Sequence, residues 1–345
     1  MGEHRTELEE NAQAIVADGR GILAADESNN TMGKRLDGIG VENTEENRRG
    51  FRELLFKTES AEQYISGVIL YDETIRQSTA DGTPFPKLMQ DLGVIPGIKV
   101  DTGAKPLADS PDETVTEGLD GLRERLEEYY ELGARFAKWR AVINIGDGLP
   151  SRYTIDVNAH ALARYAALCQ EQSIVPIVEP EVLMDGEHSI DRAFVVTRMT
   201  LHKVFDELCA QRIKFDEMLL KPNMVMPGYD SGQDASVDEV AERTLECLYD
   251  VVPASVAGIV FLSGGQSDEL ATEHLQAMTA RGPHPWKLSF SYGRALQAPP
   301  LAAWRGEEGN VAAAQAAYLH RAKCNGAATR AEYSSDLEQE AAAAA

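Results

Sequence analysis

No stretch of this 345-residue chain approaches the roughly 18 consecutive apolar residues that a membrane-spanning helix needs. Cysteine is scarce. Cys169, Cys209, Cys247 and Cys324 stand far apart, none in a CxxC pair, so neither a zinc knuckle nor a dithiol redox motif is indicated. Each reads as a small buried hydrophobe or an inert thiol. Histidine is sparse and scattered, at positions 4, 160, 188, 202, 274, 284 and 320. None falls in the strand cores identified below, so no clustered ligand set for a catalytic metal is visible. Neither metal nor cofactor is expected. Positive charge is in short supply too: 33 Lys and Arg stand against 56 Asp and Glu, a net charge of −23. Such a surface repels nucleic acid and anionic membrane, so neither is an expected partner. It also repels a phosphorylated ligand unless the site is locally basic, which makes the placement of each Lys and Arg informative. The first ten residues are polar and acidic. They lack the basic start and apolar run of a signal peptide and are too acidic for a typical transit peptide. A soluble, cytoplasmic chain is the expectation; a plastid transit peptide removed earlier would leave no trace.

Hydrophobic residues make up 43% and charged residues 26%. That is the balance of a globular domain, and this length allows a sizeable core. Short segments rich in Val, Ile and Phe recur at 21–27, 64–72, 95–101, 136–143, 174–181, 218–225, 258–265 and 286–293. Helical stretches such as 43–57, 118–132, 156–172, 192–211 and 236–249 separate them. In 158–172, Ala159, Leu162, Ala163, Ala166 and Ala167 share one helical face. Strand and helix in alternation imply parallel βαβ units, and eight of them fit a closed (β/α)8 TIM barrel in a single α/β domain. A doubly wound open sheet is the runner-up, but GILAADES after the first strand is not GxGxxG. The barrel is expected over 1–330. The acidic and polyalanine tail, 331–345, is expected to be a frayed or helical end, mobile against it.

Charges recur where these strands end. Asp26 and Glu27 close the first, Lys99 and Asp101 the third, and Glu179 and Glu181 the fifth; Lys138 and Arg140 lie in the fourth and Lys221 in the sixth. Charges inside a packed barrel are costly unless they reach its C-terminal mouth, where active sites of this architecture sit. Glu179 and Glu181, like Lys138 and Arg140, are two apart, so each pair shares a face of its strand. An ion-pair network that merely fills the barrel is the plain alternative for any one residue. It accounts poorly for the whole set.

The inventory suggests a chemistry. A lysine crowded by cations or apolar groups is shifted toward its free amine, and an amine attacks a ketone to give an imine. Lys221 has Lys138 and Lys99 as prospective cationic neighbours. Losing water from the carbinolamine needs an acid, which Glu179 or Glu181 can supply. Breaking the adjacent C–C bond needs a base for a hydroxyl, and Asp26 is a carboxylate on a neighbouring strand end. Ser263–Gly265 offers unobstructed backbone N–H groups to a phosphate, with the Ser-Tyr-Gly-Arg of Ser291–Arg294 at the next strand end.

These residues closely resemble class I fructose-bisphosphate aldolases, from about residue 5 to residue 326. The stretches that match are GILAADES (21–28), GVENTEENRR (40–49), GIKVD (97–101), GLDGL (118–122), FAKWR (136–140), LARYA (162–166), IVPIVEPE (174–181), LLKPNMV (219–225), FLSGGQS (261–267) and FSYGRALQ (290–297). The resemblance implies a (β/α)8 barrel, usually a homotetramer, that reversibly cleaves fructose 1,6-bisphosphate to dihydroxyacetone phosphate and glyceraldehyde 3-phosphate. It implies Lys221 as the imine-forming lysine and Glu179 as acid/base for dehydration, with Glu181 orienting and tuning the lysine. Asp26 would accept the C4-hydroxyl proton and Lys138 assist electrostatically. Ser263, Gly264, Gly265, Ser291, Gly293 and Arg294 would bind one phosphate. Ser28, Arg35, Lys99 and Arg140 fall where the family binds substrate or its other phosphate, as does Thr31, which stands where a serine is common. Phosphorylated ketoses and trioses are the implied partners. Thr102 stands where relatives often carry Lys. Many relatives end in a tyrosine that enters the site and moves the enamine's C3 proton, whereas the last tyrosine here is Tyr333. The nearest rivals are other Schiff-base barrels, transaldolase or deoxyribose-phosphate aldolase; two phosphate sites favour a bisphosphate. A metal-dependent aldolase and a phosphosugar-binding scaffold without turnover are further alternatives.

Overall fold

The computed structural model describes residues 6–342. Strands β1 (Gly21–Ala25), β2 (Ile65–Leu70) and β3 (Ile95–Lys99) precede an antiparallel hairpin, β4 (Gly103–Pro106) and β5 (Thr114–Glu117). Then follow β6 (Phe136–Ile143), β7 (Val175–Val182), β8 (Leu219–Leu220), β9 (Gly258–Phe261) and β10 (Lys287–Tyr292). The hairpin stands apart. The other eight pair in parallel and close a ring, β10 returning to β1. This is the eight-fold α/β barrel expected from the alternation.

Five of the connecting helices start where the sequence supplies a hydroxyl. Thr44, Ser151, Ser189, Ser236 and Ser267 accept hydrogen bonds from backbone N–H groups three residues on, satisfying donors the first turn leaves free. The strands are shorter than the apolar runs suggest. The sixth run, 218–225, contributes only Leu219 and Leu220 to the ladder, because Pro222 has no N–H to continue it. Lys221 therefore sits just beyond β8, although its N–H still bonds Val178 O at 2.8 Å and keeps it in line with the strand.

Two apolar layers result. Alternate residues, among them Leu23, Ala25, Ala137, Trp139, Val178 and Leu220, face outward into a large core shared with the helices. Ile22, Ala24, Ile69, Phe136, Val175, Ile177, Leu219 and Val260 face inward and form a second cluster. The helix Glu7–Ile15 closes this inner cluster from below with Leu8, Ala12 and Ile15. The Phe136 ring fills the floor, and Gly97 makes room for it: a Cβ there would stand 2.3 Å from the ring. At the other end of the chain, Ser335–Ala342 is a helix. Before it, Tyr333 is buried and donates to Glu338 Oε1 at 2.8 Å; Glu338 is also held by Arg321 Nη1 at 2.6 Å. Residues 343–345, the last of the polyalanine stretch, lie outside the described residues. Among the described helices, none is long and apolar enough to cross a membrane.

Candidate active site at the barrel mouth

Two-residue steps along the strands carry the inner face from apolar to charged. On β1 the inward positions run Ile22, Ala24 and then Asp26 just past the strand; on β7 they run Val175, Ile177, Glu179, Glu181. β6 gives Phe136, then Lys138 and Arg140, and Leu219 is followed by Lys221. The period of two fixes this outcome: a residue two beyond an inward apolar one is also inward, one layer higher. The upper layer opens into a cavity of about 570 Å³. All sixteen residues singled out from the sequence line it, from Asp26, Ser28, Thr31 and Arg35 on one side to Ser263, Gly264, Gly265, Ser291, Gly293 and Arg294 on another. Lys99, Lys138, Arg140, Glu179, Glu181 and Lys221 lie between.

Six cations and six carboxylates share this lining (Arg35, Lys99, Lys138, Arg140, Lys221 and Arg294; Asp26, Glu27, Asp101, Glu179, Glu181 and Asp185). Against the whole chain's 33 to 56, the mouth is enriched in positive charge. The pairing is specific. Glu179 bridges two lysines, with Oε1 3.0 Å from Lys221 Nζ and Oε2 3.4 Å from Lys138 Nζ. Lys138 Nζ also stands 2.8 Å from Asp26 Oδ2. Burial pushes the Asp26 carboxyl up, but Lys138, Lys221 and Lys99 together outweigh it and hold the group below the ordinary carboxylate range. Glu179 behaves alike: burial raises it, and Lys138, Lys221 and Arg140 bring it down. Lys138 is the mirror case. Burial favours its neutral form, yet Asp26, Glu179 and Asp101 raise its pKa, so it stays a cation.

The structure shows pairings that spacing left open. Glu181 is ion-paired with Arg140, and among the described residues the carboxylate within 4.0 Å of Lys221 is Glu179. Lys99 pairs with Asp101 at 3.5 Å. Glu27 turns aside to Arg35 (2.6 Å) and Gln297 (2.7 Å), holding Arg35 at the rim. Ser28 caps the helix Asn29–Asp37, accepting from Thr31 N–H, and its hydroxyl lies 3.1 Å from that of Thr31.

The far rim is suited to an anion. Gly264 and Gly265 have φ of +60° and +105°, a backbone that residues with a Cβ rarely adopt. The helix Arg294–Trp304 begins at the cavity edge without a side-chain cap, which leaves the positive end of its dipole at that rim. Arg294 is exposed and has no carboxylate within 4.0 Å among the described residues, and Ser291 Oγ is buried without a hydrogen-bond partner. Asp185 and Tyr229 also line the cavity and were not foreseen. Tyr229 comes from the irregular segment after Lys221, which carries no periodic signal. Among the described residues, a three-ligand group with metal-like spacing, His320, Cys324 and Glu338, lies away from this cavity, and Arg321 already occupies its carboxylate.

Comparison with known proteins places the whole chain in a family. The family profile described as fructose-bisphosphate aldolase class-I matches residues 7–345. The chain belongs to the class I fructose-bisphosphate aldolases. It is 60% identical over 323 residues to a probable class 1 fructose-bisphosphate aldolase of Xylella fastidiosa, covering 93% of this chain and 97% of the relative. It is 53% identical over 333 residues to the cytosolic fructose-bisphosphate aldolase 4 of Arabidopsis thaliana, covering 96% and 85%. A solved fructose-bisphosphate aldolase from Plasmodium falciparum, in complex with TRAP and a small-molecule inhibitor, superposes with a TM-score of 0.94 at 48% identity over 95% of each chain. This aldolase family is one of carbon–carbon lyases, and its barrel is the barrel described above.

Proposed function

We propose that this chain cleaves fructose 1,6-bisphosphate reversibly to dihydroxyacetone phosphate and glyceraldehyde 3-phosphate through an imine on Lys221. One observation carries the reading: a buried carboxylate, Glu179, joins Lys221 to Lys138, and Lys138 in turn holds Asp26. To attack the C2 ketone, Lys221 must present a lone pair, and any proton it releases has an acceptor in Glu179 at 3.0 Å. The carbinolamine then loses its hydroxyl as water, taking that proton back from Glu179, and an iminium remains. Asp26, kept ionised by its lysines, removes the C4-hydroxyl proton. The C3–C4 bond breaks, its electrons neutralise the iminium as an enamine, and glyceraldehyde 3-phosphate departs. Protonation at C3 and hydrolysis of the imine release dihydroxyacetone phosphate. Lys138 remains cationic throughout and offsets the negative charge that moves between Asp26 and the sugar oxygen.

The two ends of the substrate fall to two rims. The Ser263–Gly265 turn, Ser291, Gly293 and Arg294 take the phosphate nearer Lys221, because β8 and β9 are neighbours in the ring. Ser28, Thr31, Arg35, Lys99 and Arg140 take the other, with Glu181 steadying Arg140 beside the lysine. A homotetramer in the cytoplasm belongs to the same reading and rests on family likeness; sedimentation of the purified protein tests the assembly. Borohydride reduction in the presence of dihydroxyacetone phosphate tests the chemistry. Irreversible labelling of the protein is expected, and its absence would overturn the imine.

A further inference from the structure

The site contains one aromatic hydroxyl with no assigned task. Tyr229 lies eight residues after Lys221, and its backbone placement is over-determined. Gly228 N–H bonds His188 O, Tyr229 N–H bonds Met184 O, and Asp230 N–H bonds Gly186 O, at 2.8, 2.9 and 2.9 Å. These three bonds stitch the irregular segment after β8 to the one after β7. The phenol ring is thereby set over the Ser263–Gly265 turn while the residue as a whole stays exposed. Its hydroxyl has two neutral acceptors there at long range, the Gly264 carbonyl at 3.2 Å and Met184 Sδ at 3.4 Å.

The other side of the same space belongs to Arg294. A Cβ built on Gly265 would stand 2.8 Å from Arg294 Nη2 and 3.4 Å from the Tyr229 hydroxyl. Both donors therefore approach the same point beside Gly265 and both line the cavity, and a side chain at 265 would collide with Arg294. We infer that Tyr229 is a further phosphate-binding residue, its hydroxyl donating to the phosphate that sits over the Ser263–Gly265 turn opposite Arg294. This rests on the reading that the turn takes a phosphate.

The energetics favour the exchange. Leaving a carbonyl and a thioether for a phosphate oxygen replaces two long neutral contacts with one charge-assisted hydrogen bond. Gly264 is only half-buried and lines the open cavity, so its carbonyl is not sealed away from water. The phenol is also secure as a donor. Partial burial raises its pKa, and Asp185 and Glu181 add to the rise against the opposing pull of Arg294, bringing it to about 12. It keeps its proton at any pH at which the enzyme would work.

Calorimetric titration of dihydroxyacetone phosphate into the wild type and Tyr229→Phe tests this. Phe keeps the ring beside Gly265 and removes only the hydroxyl. The dissociation constant is expected to rise about tenfold, the scale of one lost hydrogen bond to a charged group. An unchanged constant overturns the inference. Repeated in the Lys221→Met background, the titration reads binding without the covalent step, so the two readings separate. Normal borohydride labelling with an unaltered Tyr229→Phe constant removes Tyr229 and keeps the imine. A raised constant without labelling removes the imine and keeps Tyr229 at the phosphate.

Discussion

The two ends of this barrel are built from the same strands, two residues apart, and they solve opposite problems. At the floor Ile22, Ile69, Phe136, Val175 and Leu219 meet Leu8, Ala12 and Ile15 of the first helix, with no charge among them. At the mouth Asp26, Lys138, Glu179 and Lys221 are nearly as inaccessible, yet all carry ionisable groups. Burial at the floor is favourable in itself, by about 25 cal/mol for each Å² of apolar surface removed from water. Burial at the mouth is unfavourable for each ion alone and is tolerated because the ions alternate in sign along Asp26–Lys138–Glu179–Lys221. A closed floor can therefore carry the cost of a reactive mouth, and the mouth is where a substrate can exchange partners with the ions.

If the mouth is the chemical end, its alteration should strike turnover while the floor governs stability. Lys221→Met is expected to abolish cleavage with the circular-dichroism spectrum retained; substantial turnover in that variant would mean that the reaction does not run through this amine. Glu179→Gln should keep the shape of the bridge and lose its proton transfer, lowering kcat by about 10²–10⁴-fold in a steady-state assay. At the opposite end, Phe136→Ala leaves a cavity under the charged layer. It should cost about 3–5 kcal/mol in denaturant unfolding, and a loss no greater than that of a surface substitution would show that the floor does not hold the barrel.

The smallest expected effect separates the ends by pH. Asp26 and Glu179 have folded-state pKa values below their unfolded ones. Their contribution to stability is therefore fully present above the unfolded carboxylate value, roughly pH 4, and is lost as pH falls toward the depressed folded values. Asp26→Asn removes one of these groups. The melting temperature of that variant should fall less between pH 6 and pH 3 than that of the wild type, and an identical fall would show that the Asp26 carboxylate is not held down by its lysines.

Much of the barrel could be read in the order of residues because its strands and helices repeat at two different periods, and because charges recur two apart at strand ends. The charged residues at the strand ends were legible for the same reason, whereas Ser28, Thr31 and Arg35 came only from the family resemblance; all sixteen line the cavity. Three things were not legible. The β4–β5 hairpin within 103–117 was not among the eight strand-like runs, because that stretch has few apolar residues; Asn158 of a later helix accepts from Thr116 N–H, a partner no local pattern announces. Whether Glu179 or Glu181 serves Lys221 could not follow from spacing, since both face inward. It depends on Arg140, which draws Glu181 to itself. Tyr229 was invisible because its place at the mouth comes from backbone bonds to 184–188, not from a strand or helix of its own.

Peptide mapping after borohydride reduction with dihydroxyacetone phosphate, run on the wild type and on Lys221→Met side by side, puts the question to the single nitrogen at stake. A reduced three-carbon adduct on Lys221 in the first and none in the second is the predicted pair of results. An adduct on Lys138 or Lys99, or one that survives in the Lys221→Met variant, would contradict the account.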